Sequence, residues 1–163
     1  MRWLDGTELD ISDMTKEDFA EKLSLSLFDY DYSDWALLPE WAQNAAYIIA
    51  FDTELNMEGI FTFLENGIGH YAPEIIRAFR AIGDEQDADA LAEICRIAPP
   101  DVMRGELAAK DYQQYDLTCF NDDHELTDEA SERIEELESA LYLNADFDMW
   151  ELFYAYLESQ MKS

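Results

Sequence analysis

A chain of 163 residues that is 48% hydrophobic and 13% aromatic is large and apolar enough for one buried core, which excludes an acidic disordered tail. Thirty-eight acids against ten basic residues leave a formal charge of −28. Such a surface repels nucleic acid and anionic membranes and attracts basic proteins.

The periodicity is helical almost throughout. Thr15 followed by Asp18 reads as a helix N-cap, and Phe19, Leu23 and Leu27 form the apolar stripe behind it. A turn rich in Asp and Tyr, Phe28 to Ser33, ends that helix. Pro39 suits a first turn, with Trp41, Ala45, Ile48 and Leu55 at helical spacing to about Asn56. Between Glu58 and Gly69, glycines flank a short apolar helix carrying Ile60, Phe61, Phe63 and Leu64. Gly59, Gly67 and Gly69 are expected to allow positive φ, and Asn56 and Asn66 to cap helix ends or bond loop backbone. Pro73 opens a helix lined by Ile75, Ile76, Phe79 and Ile82, with Gly83 where a C′ glycine belongs. Ala88, Leu91 and Ile94 mark the next helix, which Pro99 and Pro100 stop. A short helix over Val102–Ala109 leads into an irregular segment, in which only Tyr112–Phe120 is ambiguous with a strand. Two helices close the chain: one carries Ala130, Ile134, Leu137 and Leu141, the other Phe147, Trp150, Tyr154, Leu157 and Met161. The fold class expected is all-α, a single compact multi-helix domain over residues 1–163.

One acidic cluster stands out. Asp122, Asp123, Glu125, Asp128, Glu129, Glu132, Glu135, Glu136 and Glu138 lie within eighteen positions, with Arg133 the only Lys or Arg among them. An inward apolar stripe sends Asp128, Glu129, Glu132, Glu135 and Glu136 to solvent. Residues four apart rise about 6 Å along a helix, comparable with the roughly 7 Å between phosphates of a DNA strand. Like charges at that spacing weaken a helix slightly. The first eight of these acids are the candidate partner-binding residues; the plain alternative is a solvated helix face.

Glu54, Leu55, Asn56, Gly59, Phe63, Leu64, Asn66 and Gly69, followed by Ala78, Phe79, Ile82 and Gly83, resemble the signature of a bacterial all-α family of largely unknown function that includes a DNA-mimic protein. Met57, Glu58, Ile60 and Thr62 depart from that signature. The likeness is strongest over Trp41–Ile97, continues weakly to about Met161, and leaves Met1–Pro39 uncovered. The resemblance implies an all-helical fold and a protein that works by occupying the basic surface of a DNA-binding protein.

Chemistry is sparse. His70 and His124 have no ligand spacing to each other or to Cys95 and Cys119, and no phosphate-binding glycine loop is present. The two cysteines suit small buried thiols in a reducing compartment. Asp29, Asp31, Ser33, Trp35 and Glu40 occupy positions 1, 3, 5, 7 and 12 of a calcium loop, but Asp34 stands where the turn needs glycine and Pro39 precedes the last ligand. The reading is therefore no catalytic residue, no metal and no cofactor. No apolar run approaches the ~18 residues of a membrane span, and six acids precede Phe19 where a leader would be basic and apolar. A cytoplasmic binding protein is expected, monomer or homodimer, with a basic, DNA-binding partner. An immunity or antitoxin-like inhibitor of a basic enzyme is the rival, and salt adaptation a further one, which the four lysines suit better than the aromatic content.

Overall fold

A computed structural model describes residues 1–163. Eight α-helices follow one another: α1 (Lys16–Leu27), α2 (Glu40–Met57), α3 (Gly59–Glu65), α4 (Ala72–Ala81), α5 (Glu85–Ile97), α6 (Pro100–Met103), α7 (Asp128–Ser139) and α8 (Met149–Met161). Short 3-10 turns cover Tyr32–Leu37, Gly67–Tyr71 and Asp111–Gln114. There is no strand, only the isolated bridges Arg2–Glu8 and Phe120–Leu126, so the Tyr112–Phe120 ambiguity resolves as a 3-10 turn and loop. No helix is long and apolar enough to cross a membrane.

Helix α2 is the axis. Ala42, Ala45, Ala46, Ile48, Phe51 and Leu55 are all buried, which is how a helix reads when neighbours cover it on several sides. Its alanines let α1, α4 and α8 come close, and its one buried amide, Asn44, donates from Nδ2 to Tyr156 Oη at 3.1 Å, tying α2 to α8. Phe51 meets Phe63 and Phe79 edge to face at 5.0 and 5.6 Å, joining α2, α3 and α4. The N-terminal residues belong to the same core: Trp3 is buried against Phe19 at 5.5 Å, and its indole N–H donates to Ser26 Oγ at 3.0 Å. One continuous cluster of 37 buried residues runs from Trp3 to Leu157.

The local signals act as their chemistry requires. Thr15 and Asp18 form a reciprocal capping box at α1. Gly83, at φ +88°, ends α4 in a Schellman pair: its N–H donates to Arg80 O at 3.0 Å, and that of Asp84 to Phe79 O at 2.8 Å.

Several elements differ from the sequence expectation. The helix expected over Val102–Ala109 is α6, four residues long, because Gly105 takes φ +67° and turns the chain away. Helix α7 stops at Ser139, so Leu141 is buried from the turn beyond it. Phe147 precedes α8, where Asp148 caps the helix by accepting from Glu151 N–H at 3.2 Å. The fully packed stripe of α8 is Met149, Phe153 and Leu157, one step around from the expected face. Gly59 has the positive φ expected of it (+83°), whereas Gly67 and Gly69 do not. Gly69 is required for another reason: a Cβ there would sit 2.6 Å from Phe63 O and 3.2 Å from Leu64 O. The segment of the calcium-loop pattern holds the 3-10 turn Tyr32–Leu37, whose Trp35 carbonyl accepts from Leu38 N–H at 3.0 Å.

Candidate functional site

The acidic helix is α7. Thr127 caps it by accepting from Ala130 N–H at 3.2 Å, and Ala130 and Ile134 bury its inner face against α5. With those residues turned inward, Asp128, Glu129, Glu132, Glu135 and Glu136 are all exposed. Asp128, Glu132, Glu135 and Glu136 recur at i, i+4, i+7 and i+8, which puts them on one face. Asp128 and Glu129 lie in the first turn, where negative charge suits the helix dipole. Glu135 and Glu136 lie towards the other end, where it does not, and the last turn has no basic residue to offset them. Arg133 pairs with Glu136 at 3.0 Å, an exposed contact worth of order 0.2–1 kcal/mol.

Asp122, Asp123 and Glu125 are also exposed, on the loop leading into α7. That loop is built around Asn121, whose Oδ1 accepts from the N–H groups of Asp123 (2.9 Å) and Glu125 (3.0 Å). His124 adopts φ +60° and stacks on Tyr112, ring centroids 4.1 Å apart. The structure thus brings all eight candidate acids to the surface of one continuous segment, a loop and the helix that follows it.

Glu138 departs from its neighbours. Its Oε2 accepts the N–H of Ile60 at 3.0 Å, satisfying a first-turn donor of α3. The corner motif is structural in the same way: Asn66 donates to Glu54, and Asn56 to the backbone and side chain of Asp52, rather than to loop backbone.

Two acids that sequence reasoning passes over are the most buried polar groups of the chain. Asp84 is 1% exposed and Asp87 0%. Asp84 Oδ1 caps α5 by accepting from Asp87 N–H at 3.0 Å, and Asp87 Oδ1 accepts from Tyr142 N–H at 2.8 Å. The second oxygen of each is buried without a partner. Burial, reinforced by Asp84, pushes the Asp87 carboxyl up to about 8. The Tyr142 hydroxyl, bonded to Asp52, is likewise pushed upward, first by burial. An Asp at an N-cap followed three residues later by another was the only available signal, and it is common at solvated helix starts.

Among the surface carboxylates the resolved shifts run the other way. Asp5, Asp10, Asp18 and Asp116 are each held below the ordinary value by the hydroxyl of Thr7, Ser12, Thr15 or Thr118, and Glu93 and Glu158 by Arg96 and Lys162. Cys95 and Cys119 are free thiols, and burial pushes Cys95 up to about 12, which leaves it unreactive as a nucleophile.

The fold and this surface define an all-α protein presenting a run of exposed carboxylates on α7 and the loop before it. The chain belongs to the DMP19-like protein family, whose model matches residues 36–160. No curated protein and no solved structure matches it.

Proposed function

We propose that the protein acts by binding, as a decoy whose carboxylates occupy the Lys and Arg residues of a DNA-binding protein and exclude DNA. The observation that supports this reading most is the placement of Glu135 and Glu136 near the C-terminal end of α7, where the last turn has no basic residue and only Glu136 has an ion pair, the exposed one to Arg133. Helix stability disfavours acids there, and neither takes up a structural contact of the kind Glu138 makes. Family membership agrees with it, as does the roughly 6 Å rise between acids four apart. The site residues of the reading are Asp122, Asp123, Glu125, Asp128, Glu129, Glu132, Glu135 and Glu136.

Replacing Glu129, Glu132, Glu135 and Glu136 together by glutamine keeps helix propensity nearly constant. The variant should hold its circular dichroism yet lose about tenfold or more in affinity for the basic partner captured by the wild type at low salt. Affinity of the wild type should fall steeply with salt, as phosphate binding does. The partner should release DNA as this protein binds. Simultaneous binding of DNA and this protein to one partner would overturn the decoy reading in favour of an enzyme inhibitor. Undiminished binding by the fourfold variant would move the site off α7.

A further inference from the structure

A second surface, made by different elements, is apolar. Between α1 and α2 lies an open groove of about 390 Å³, within the usual ligand-site range of ~300–1,000 Å³. Its lining includes Leu27, Phe28, Tyr32 and Trp35 on one side and Ala46 and Ile49 of α2 on the other. Phe28 is 85% exposed and Tyr32 43%. Leu25, on the last turns of α1, and Leu37, at the end of the 3-10 turn, are exposed beside them in the chain at 61% and 85%. Single exposed apolar residues need no explanation, but Phe28 and Tyr32 are exposed in the wall of a groove lined by eight hydrophobic residues, which marks an interaction surface. The indole N–H of Trp35 is buried in the same wall without a hydrogen-bond partner.

The one charged residue that lines this groove, Asp31, is acidic. No lysine or arginine occurs between Lys22 and Arg77, whereas Asp29, Asp31 and Asp34 all lie exposed on the segment that forms its wall. An apolar floor with an acidic rim selects an occupant of complementary pattern. We infer that this groove docks an amphipathic helix from a partner protein, its aliphatic or aromatic side chains entering between α1 and α2 and its Lys and Arg residues meeting Asp29, Asp31 and Asp34. Helix-in-groove recognition places anchors at i, i+3, i+4 and i+7, and the pairing of an apolar core with a charged rim sets register. A second copy of this chain fits less well. Two molecules each at −28 repel, and no residue lining the groove is basic. The site does not require the decoy reading. It draws on residues 24–53, of which those before 36 lie outside the family match.

The probe is a synthetic helical peptide of about 18 residues with leucines at i, i+3, i+4 and i+7 and lysines flanking them. Titrated against the full chain, it should bind saturably and change tryptophan fluorescence through Trp35. A peptide with the leucines replaced by glutamine, and one with the lysines replaced by glutamate, should each bind about tenfold more weakly or worse. Phe28→Ala, at so exposed a site, leaves folding intact and should weaken the peptide about tenfold. The α7 glutamine variant should bind it within about twofold of wild type, so the two surfaces fail or succeed separately. Equal binding of the leucine-free peptide, or by Phe28→Ala, overturns the proposal. So does a wild-type dimer in sedimentation velocity that Phe28→Ala converts to monomer, since the occupant would then be a second copy.

Discussion

Gly69→Ala should destabilise the protein by about 2–4 kcal/mol, lowering the melting temperature by roughly 5–15 °C. The cause is contact, not conformation. Gly69 has an ordinary φ, but its Cα faces the last turn of α3 so closely that a methyl would lie 2.6 Å from Phe63 O, 3.2 Å from Leu64 O and 3.3 Å from Pro100 Cβ. Two of those neighbours are backbone atoms of a helix whose side chains Phe63 and Leu64 are fully buried, so relief requires moving α3 against α2. Gly67→Ala, two residues away with nothing within 4 Å of its added Cβ, should shift the melting temperature by about 2 °C or less. Equal effects of the two substitutions in thermal denaturation would show that the corner yields and that the close approach is not a constraint.

Asp87→Asn should stabilise the protein at pH 8 by about 1–3 kcal/mol and change little at pH 5. The unfolded chain releases the Asp87 proton near 4, whereas the folded protein holds it until about 8. Stability from this group is therefore complete below about 4 and lost progressively as pH rises through 8. Asparagine keeps an oxygen for Tyr142 N–H and supplies a permanent donor towards Asp84, doing at every pH what the protonated acid does only below about pH 8. The hydroxyl- and base-bonded carboxylates have the opposite sign. Asp5, Asp10, Asp18, Asp116, Glu93 and Glu158 contribute stability above their unfolded values and lose it as pH falls below about 4. The wild-type melting temperature should pass through a maximum near pH 5. Asp87→Asn should flatten the alkaline limb and leave the acid limb, and a variant that melts lower than wild type at pH 8 would refute the assignment. Moderate salt should raise the melting temperature of both proteins by screening the −28 surface.

What was legible in the chain was whatever announced itself locally. Thr15 with Asp18, and Gly83 after Phe79, are chemical signatures of helix ends that need no tertiary contact. The stripe Phe19, Leu23, Leu27 stands out because its large apolar members recur every fourth residue, with Glu21, Lys22, Ser24 and Ser26 between them. Helix α8 was harder for the opposite reason: Leu152, Tyr154 and Tyr156 spread apolar surface around it, and only docking against α1 and α2 selects Met149, Phe153 and Leu157. The exposure of the α7 acids followed from Ala130 and Ile134 facing inward. The identity of Asp84 and Asp87 did not, because in a chain with thirty-eight acids a buried pair has the same letters as a solvated one. The apolar groove was equally hidden, since Phe28 and Ile49 become neighbours only when α1 folds across α2.

The bond from Glu138 to the Ile60 amide gives the molecule a built-in spectroscopic reporter. That amide belongs to the first turn of α3, where its own helix offers it no acceptor, so its shelter comes from α7 alone. Its hydrogen–deuterium exchange rate should therefore follow the detachment of the acidic helix, not the fraying of α3. A partner that grips α7 and holds it down would slow exchange at this one position, and a partner that peels α7 away would release it. A single backbone nitrogen, remote in sequence from the carboxylate array, would thus distinguish a protein that binds as a rigid surface from one that yields its acidic helix to its target.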